Sequence, residues 1–218
     1  MEKLKRKQKE GFSAISDNIE ISSLEGTILS SFFPEAEEMT IKEIQERVDY
    51  SYERVNSALK SLEQKKIVAS KQKGKTLVYS LDLSNSCSYS LGFIRYMLQR
   101  KIYFIKKHKN VYNAIKEVEK NPYTLGVILF GSYSKGTEAK QSDVDIICIS
   151  SKKSETEHFI KSLKYKYNIN FSSVVLLLHE FPDIKKDNPE LWNDLKLYGI
   201  FFKGDGYFYS FIYENGKN

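Results

Sequence analysis

The 218-residue chain holds 34 Lys and Arg against 28 Asp and Glu, a formal charge of +6, with 41% hydrophobic and 13% aromatic residues. That apolar share can fill one large core or two small ones and lies far above the disordered range. No stretch approaches the ~20 apolar residues of a membrane helix, and the charged start MEKLKRKQKEGF has no secretory apolar core.

Cys87 and Cys148 alone are too few for a thiolate zinc site or a disulfide scaffold. A reduced, cytoplasmic setting without membrane insertion is expected. Residues 1–19 read as a basic arm. From Ile21, SSLEGTILSSFF sets Leu24, Ile28, Leu29, Phe32 and Phe33 at helical spacing, and Pro34 follows the stop. Thr40 with Glu43 three residues on is a capping-box pattern opening a helix over 41–48 that buries Ile41, Ile44 and Val48. A helix over 51–66 turns Val55, Leu59 and Leu62 to one face. Residues 68–81 read as two strands, VASKQ and TLVYSL, about a QKGK turn.

Helix, short helix, longer helix and basic hairpin is the order of a winged helix-turn-helix domain over 20–83, whose third helix enters the DNA major groove. Its outward residues Ser51, Tyr52, Arg54, Asn56 and Ser57 are candidate base readers, with Arg and Asn suited to guanine and adenine edges. Lys71, Lys73 and Lys75 in the wing are candidate phosphate contacts. The same fold order also serves protein docking. Charge is unevenly spread: residues 20–50 sum to −6 and residues 51–82 to +4.

Residues 84–121 form a connecting segment, one long helix or two joined near Asn110. Between 83 and 120 it has 8 basic and 2 acidic residues, the whole formal excess of the chain. Leu91, Ile94, Leu98, Ile102, Ile105, Tyr112 and Ile115 make an apolar stripe, either core or the seam of a homodimer. Asn121-Pro122 ends it.

Beyond residue 122 strands and helices alternate: GVILF, VDIICIS and INFSSVVLLL as strands, 154–167 and 191–198 as helices, and two closing runs, GIFF and YFYSFIY. The alternating aromatics Tyr207, Phe208, Tyr209, Phe211 and Tyr213 predict a last strand. The fold class is therefore α+β, with a small mixed-sheet domain over 122–218 behind the helical front half.

The first of these strands runs into Gly131-Ser132-Tyr133-Ser134-Lys135-Gly136-Thr137, and Asp143-Val144-Asp145 opens the next. Glycines at such a turn let backbone N–H groups approach phosphate. Two Asp at i and i+2 of a strand face the same side and can share divalent cations. With eleven residues between Gly131 and Asp143, GSYSKGT and SDVDI together resemble the nucleotidyltransferase superfamily related to DNA polymerase beta, in its minimal standalone branch. The resemblance implies that Gly131 and Ser132 hold the phosphates of a nucleoside triphosphate and that Asp143 and Asp145 hold Mg²⁺ or Mn²⁺. Lys135, where the family often has Arg, offers a charge to phosphate. The chemistry implied is transfer of a nucleoside monophosphate to a hydroxyl.

The family also uses a third carboxylate on a later strand, where this chain has Asn170, Phe171, Ser172 and Ser173. Glu180 and Asp183 lie further on. That departure leaves open a regulator that only senses nucleotide. Pairing with a toxin, common in the minimal branch, is a further partner to consider. His108, His158 and His179 lack metal-ligand spacing and read as structural or solvated, and Trp192 reads as core.

Overall fold

The computed structural model describes residues 20–204, 206–208 and 211; the basic arm over 1–19 lies outside them. The chain divides into two compact units, with the division between Tyr96 and Met97.

In the first unit, helix α1 (Ser23–Ser31) starts at a capping box the sequence reading missed: the Ser22 hydroxyl accepts from Glu25 N, and the Glu25 carboxylate accepts from Ser22 N at 2.7 Å. A two-residue strand, β1 (Met39–Thr40), precedes α2 (Ile41–Val48), which opens on the expected Thr40–Glu43 box. Ile44 and Val48 are buried as expected, whereas Ile41 is only partly covered because it lies at the solvent-facing start of the helix. Helix α3 (Tyr52–Gln64) buries Val55, Ala58, Leu59 and Leu62. With Ile28, Leu29, Phe32 and Ile44 these close the core, the burial of each side chain larger than Ala58 contributing ~1.5–3 kcal/mol.

Strands β2 (Val68–Lys73) and β3 (Thr76–Leu81) pair antiparallel, and β1 adds on the far side of β3, giving the order β1-β3-β2. The hairpin is tighter than predicted: β2 runs on to Lys73, leaving Gly74-Lys75 as the turn, with Gly74 at φ +61° where a glycine is favoured. Helix α4 (Ser86–Lys107) follows, and within the first unit Tyr89, Phe93 and Tyr96 gather around the Phe33 ring. The connecting segment is two helices, one of the two forms expected, and breaks at His108, two residues before Asn110, giving α4 and α5 (Lys109–Lys120). Ile94, Leu98 and Ile102 are 47–55% exposed, so this part of the apolar stripe is not core.

The second unit is built on a four-stranded sheet of order β6-β5-β4-β7, made of β4 (Thr124–Leu129), β5 (Val144–Ser150), β6 (Phe171–Leu176) and β7 (Ile200–Lys203). Only β5 and β6 run parallel, and α7 (Lys153–Tyr167) connects them. Both faces are covered, which explains the unbroken apolar runs. Val127, Leu129, Ile146 and Cys148 face α5 and α7 through Ile115, Val118, Ile160 and Leu163. Ile128, Ile147 and Ile149 face the other way, onto Phe181, Trp192, Leu195 and Phe208. Trp192 is core, as expected. It sits on α9 (Pro189–Tyr198), which is preceded by a 3-10 turn (Leu178–Asp183) and a single turn, α8 (Ile184–Asp187).

The predicted closing strand is not formed among the described residues. Residues 206–208 and 211 are helical, while Tyr209 and Tyr213 lie outside them. Helical spacing points Phe208 and Phe211 together against Phe181, at 4.9 and 5.9 Å between ring centroids, and that packing overrides the period-two pattern.

Candidate functional site

The glycine motif forms a one-turn helix, α6 (Gly131–Lys135), directly off the end of β4. Gly131 is required twice over. Its φ is +66°, and a Cβ there would stand 2.2 Å from Asp145 Oδ2. The turn backbone therefore lies against the Asp145 carboxylate. Phe130 N donates to Asp145 O at 3.0 Å, Ser134 Oγ to Gly131 O at 2.9 Å, and Thr137 N to Ser132 O at 3.0 Å.

Asp145 stands on β5 with Ser172 of β6 as its cross-strand partner, and the Ser172 hydroxyl hydrogen-bonds the carboxylate. Burial raises the Asp145 pKa, the Ser172 bond opposes the rise, and the nearby Asp143 charge adds to it. Asp143 is exposed at the strand entrance. The motif thus brings Gly131, Asp143 and Asp145 together. Lys135 is turned aside: its ammonium pairs with Asp194 of α9 at 2.6 Å and lies 5.4 Å from the Tyr198 ring centroid.

In the first unit, Tyr52, Arg54 and Ser57 of α3 are exposed and Asn56 is partly so, and Ser51, at the N-cap of the helix, is exposed beside them. The Arg54 guanidinium lies 4.6 Å over the Tyr50 ring. Arg54 and Ser57 also border a groove of ≈ 520 Å³ shared with Ser22, Ser61 and Lys65. In the wing, Lys71 and Lys73 both pair with Glu38, and Lys75 is exposed.

Residues 111–198 match the model of the nucleotidyltransferase domain family. The chain carries a nucleotidyltransferase domain. Residues 21–117 match the penicillinase repressor family, so the front half is a winged helix of that kind. A Methanocaldococcus jannaschii protein whose name is "Putative protein adenylyltransferase" is 28% identical over 96 residues, 40% of this chain and 65% of that protein. The chain thus spans less than two thirds of that relative's length. Among solved structures, the adhesin competence repressor of Streptococcus pyogenes is 16% identical, with 52% of this chain and 81% of that one covered at a TM-score of 0.33. A point mutant of ZitR from Lactococcus lactis is 13% identical, covering 70% and 79% at 0.32. Likenesses this partial carry no structural weight.

Within the nucleotidyltransferase domain, the position facing Asp145 is Ser172, and Asn170 precedes β6 with its carbonyl accepting from Val144 N. Glu180 is occupied locally, accepting from Leu177 N at 2.7 Å and pairing with Lys153 at 3.4 Å. Among the described residues no group of three or more His, Cys, Asp or Glu side chains is placed to hold a metal. Two carboxylates and a hydroxyl are nonetheless hard oxygen donors of the type that suits Mg²⁺ or Mn²⁺.

Sequence reasoning missed three groups that shape this domain. Arg100 of α4 donates to Ser134 O at 2.7 Å, Tyr198 O at 2.6 Å and Leu197 O at 3.3 Å, fastening α6 to the end of α9. Asp194 holds Lys135. Glu138, on the loop before Asp143, pairs with Lys107 at 2.7 Å and His108 at 3.3 Å. His108 also meets the Tyr133 ring edge-on at 5.1 Å, and burial lowers its pKa against the pull of Glu138. These hydrogen-bond and ion-pair partners lie 30 to 98 residues apart in sequence, and only the charge excess of the connecting segment hinted at them. Among the described residues no helix is long and apolar enough to cross a membrane.

Proposed function

We propose that the chain is a DNA-binding regulator whose nucleotidyltransferase domain binds a nucleoside triphosphate with a divalent cation and transfers the nucleoside monophosphate to a hydroxyl. The observation that carries this is the contact of the Gly131 turn with Asp145, which would set a triphosphate on the turn beside the two carboxylates. Gly131 and Ser132 would bind phosphate oxygens through the turn. Lys135 would leave Asp194 to add a positive charge. A cation held by Asp143 and Asp145 would offset the triphosphate charge and favour departure of pyrophosphate. The acceptor oxygen bonds to the α-phosphorus as the bond to the pyrophosphate oxygen breaks, and the hydroxyl proton passes to solvent. The name of the Methanocaldococcus jannaschii relative favours adenylyl as the group and a protein hydroxyl as the acceptor.

A second reading, a nucleotide sensor without turnover, is favoured by one observation: Ser172, which cannot take up the proton, faces Asp145. Incubation with α-labelled ATP or GTP, Mg²⁺ or Mn²⁺ and candidate protein acceptors separates the two. Label on an acceptor or on the chain itself, lost on Asp143→Ala with Asp145→Ala, supports transfer. Metal-dependent binding without label supports the sensor. Metal-dependent binding unchanged in the double variant sinks the site assignment.

A further inference from the structure

The wing holds three lysines suited to phosphate, and two of them are already engaged. Lys71 and Lys73 alternate along β2, so both stand on one face of the sheet. Glu38 directly precedes β1, across β3 in the same sheet, and reaches both: Oε1 pairs with Lys71 and Oε2 with Lys73. The Glu38 side chain is 29% exposed and its Oε2 is shut off from solvent. Lys71 first, then Lys73, hold its carboxyl below the ordinary value. The acidic neighbour Glu37 points elsewhere, to Arg47 at 3.4 Å. Among the described residues Lys75, in the turn, makes no ion pair.

We propose that Glu38 is an affinity-setting residue of the DNA interface: its carboxylate stands where a backbone phosphate would, and it withholds Lys71 and Lys73 from the duplex. This rests on the DNA-binding reading of the winged helix. Lysine binds a carboxylate or a phosphodiester as a point charge, so the two anions compete for the same ammonium groups. A contact made to Glu38 neutralises no DNA phosphate and releases no condensed counterion, and it is therefore silent in the salt dependence of binding. An ion pair this near the surface is also weak enough to be exchanged. The wing thus engages DNA with fewer charges than its sequence offers, and anything that draws Glu38 away would strengthen the grip.

The test compares the full chain with Glu38→Gln and Glu37→Gln on a mixed-sequence duplex, by fluorescence anisotropy over a range of salt. Both variants remove one negative charge from adjacent positions, but only the first frees the wing lysines. The expected result for Glu38→Gln is binding several-fold tighter than wild type and tighter than Glu37→Gln. Its log–log salt slope should be steeper by about 1.8, the equivalent of two further phosphates. Adding Lys71→Gln and Lys73→Gln to Glu38→Gln should erase the gain. Equal affinity for wild type and Glu38→Gln, or an equal gain from Glu37→Gln, overturns the role of Glu38 while leaving DNA binding intact. If neither wild type nor Glu38→Gln binds duplex at low salt, the DNA reading fails and this inference with it. Binding by Glu38→Gln alone supports both.

Discussion

Asp145 carries an electrostatic load that the ligand-free protein bears without return. Burial raises its pKa above the ordinary 3.8, Ser172 moderates the rise and Asp143 adds to it. A carboxyl with a raised folded-state pKa contributes stability below its unfolded value, and that contribution is lost as pH rises through the folded value. Asp145→Asn should therefore stabilise the ligand-free protein against urea at pH 7, and the gain should fade as pH falls through the raised folded value toward 3.8. A variant no more stable at neutral pH would show that the carboxylate is not strained there. The facing residue makes the complementary case. Ser172→Asp would place a carboxylate against the pair, and Mn²⁺ affinity by calorimetry should rise by about an order of magnitude as ligand charge increases. Unchanged affinity would mean that this position does not face the metal site.

Among the elements, the helical residues 206–208 and 211 depart most from the sequence reading, and Phe208 explains why. Its ring is 2% exposed and lies over Gly126 of β4 and Gly204, where a Cβ would come within 2.3 and 2.5 Å of it. Phe208→Ala should cost about 3–5 kcal/mol in chemical denaturation, and a cost near zero would mean that Phe208 is not part of the core. The run YFYSFIY satisfies a strand pattern and a helix pattern alike; at Phe208 and Phe211 the helical choice goes with packing on Phe181 and, for Phe208, with the open space over Gly126, partners far off in sequence that no local rule can see. Elements governed by neighbours were legible: the Thr40–Glu43 box and the apolar runs of β4 and β5 carry their signals within a few residues. The turn at Gly131 and the strand opened by Asp143-Val144-Asp145 were legible because a glycine marks a turn and an apolar run marks a buried strand. The pairs Lys135–Asp194 and Glu38–Lys71 were not, since a surface carboxylate shows its partner only once the chain is folded. β1 escaped notice because two residues are too few to show a period.

At the scale of the whole molecule, each unit holds its own core and its own candidate site, and the two cores can be probed separately. Trp192, the only tryptophan, belongs to the second unit, so its fluorescence reports that unit alone, whereas circular dichroism reports both. In the first unit the Glu25 side chain is 5% exposed and pairs with Lys65 at 2.6 Å. Burial pushes its carboxyl up, but Lys65, the Ser22 amide and the Ser61 and Ser22 hydroxyls together bring it down to about 2. With a folded value below the unfolded 4.5, the stability it contributes is present above pH 4.5 and lost as pH falls toward about 2. Glu25→Gln should therefore destabilise the first unit at pH 7 by about 1.5–3 kcal/mol, the worth of hydrogen bonds to a charged group. The effect should shrink toward pH 2, where wild type is protonated as well. The helical dichroism transition should split, its earlier part moving to lower denaturant, while the Trp192 transition stays in place. A Trp192 transition that moves in step with dichroism would mean that the two cores unfold as one, and that the division at Tyr96 and Met97 has no thermodynamic counterpart.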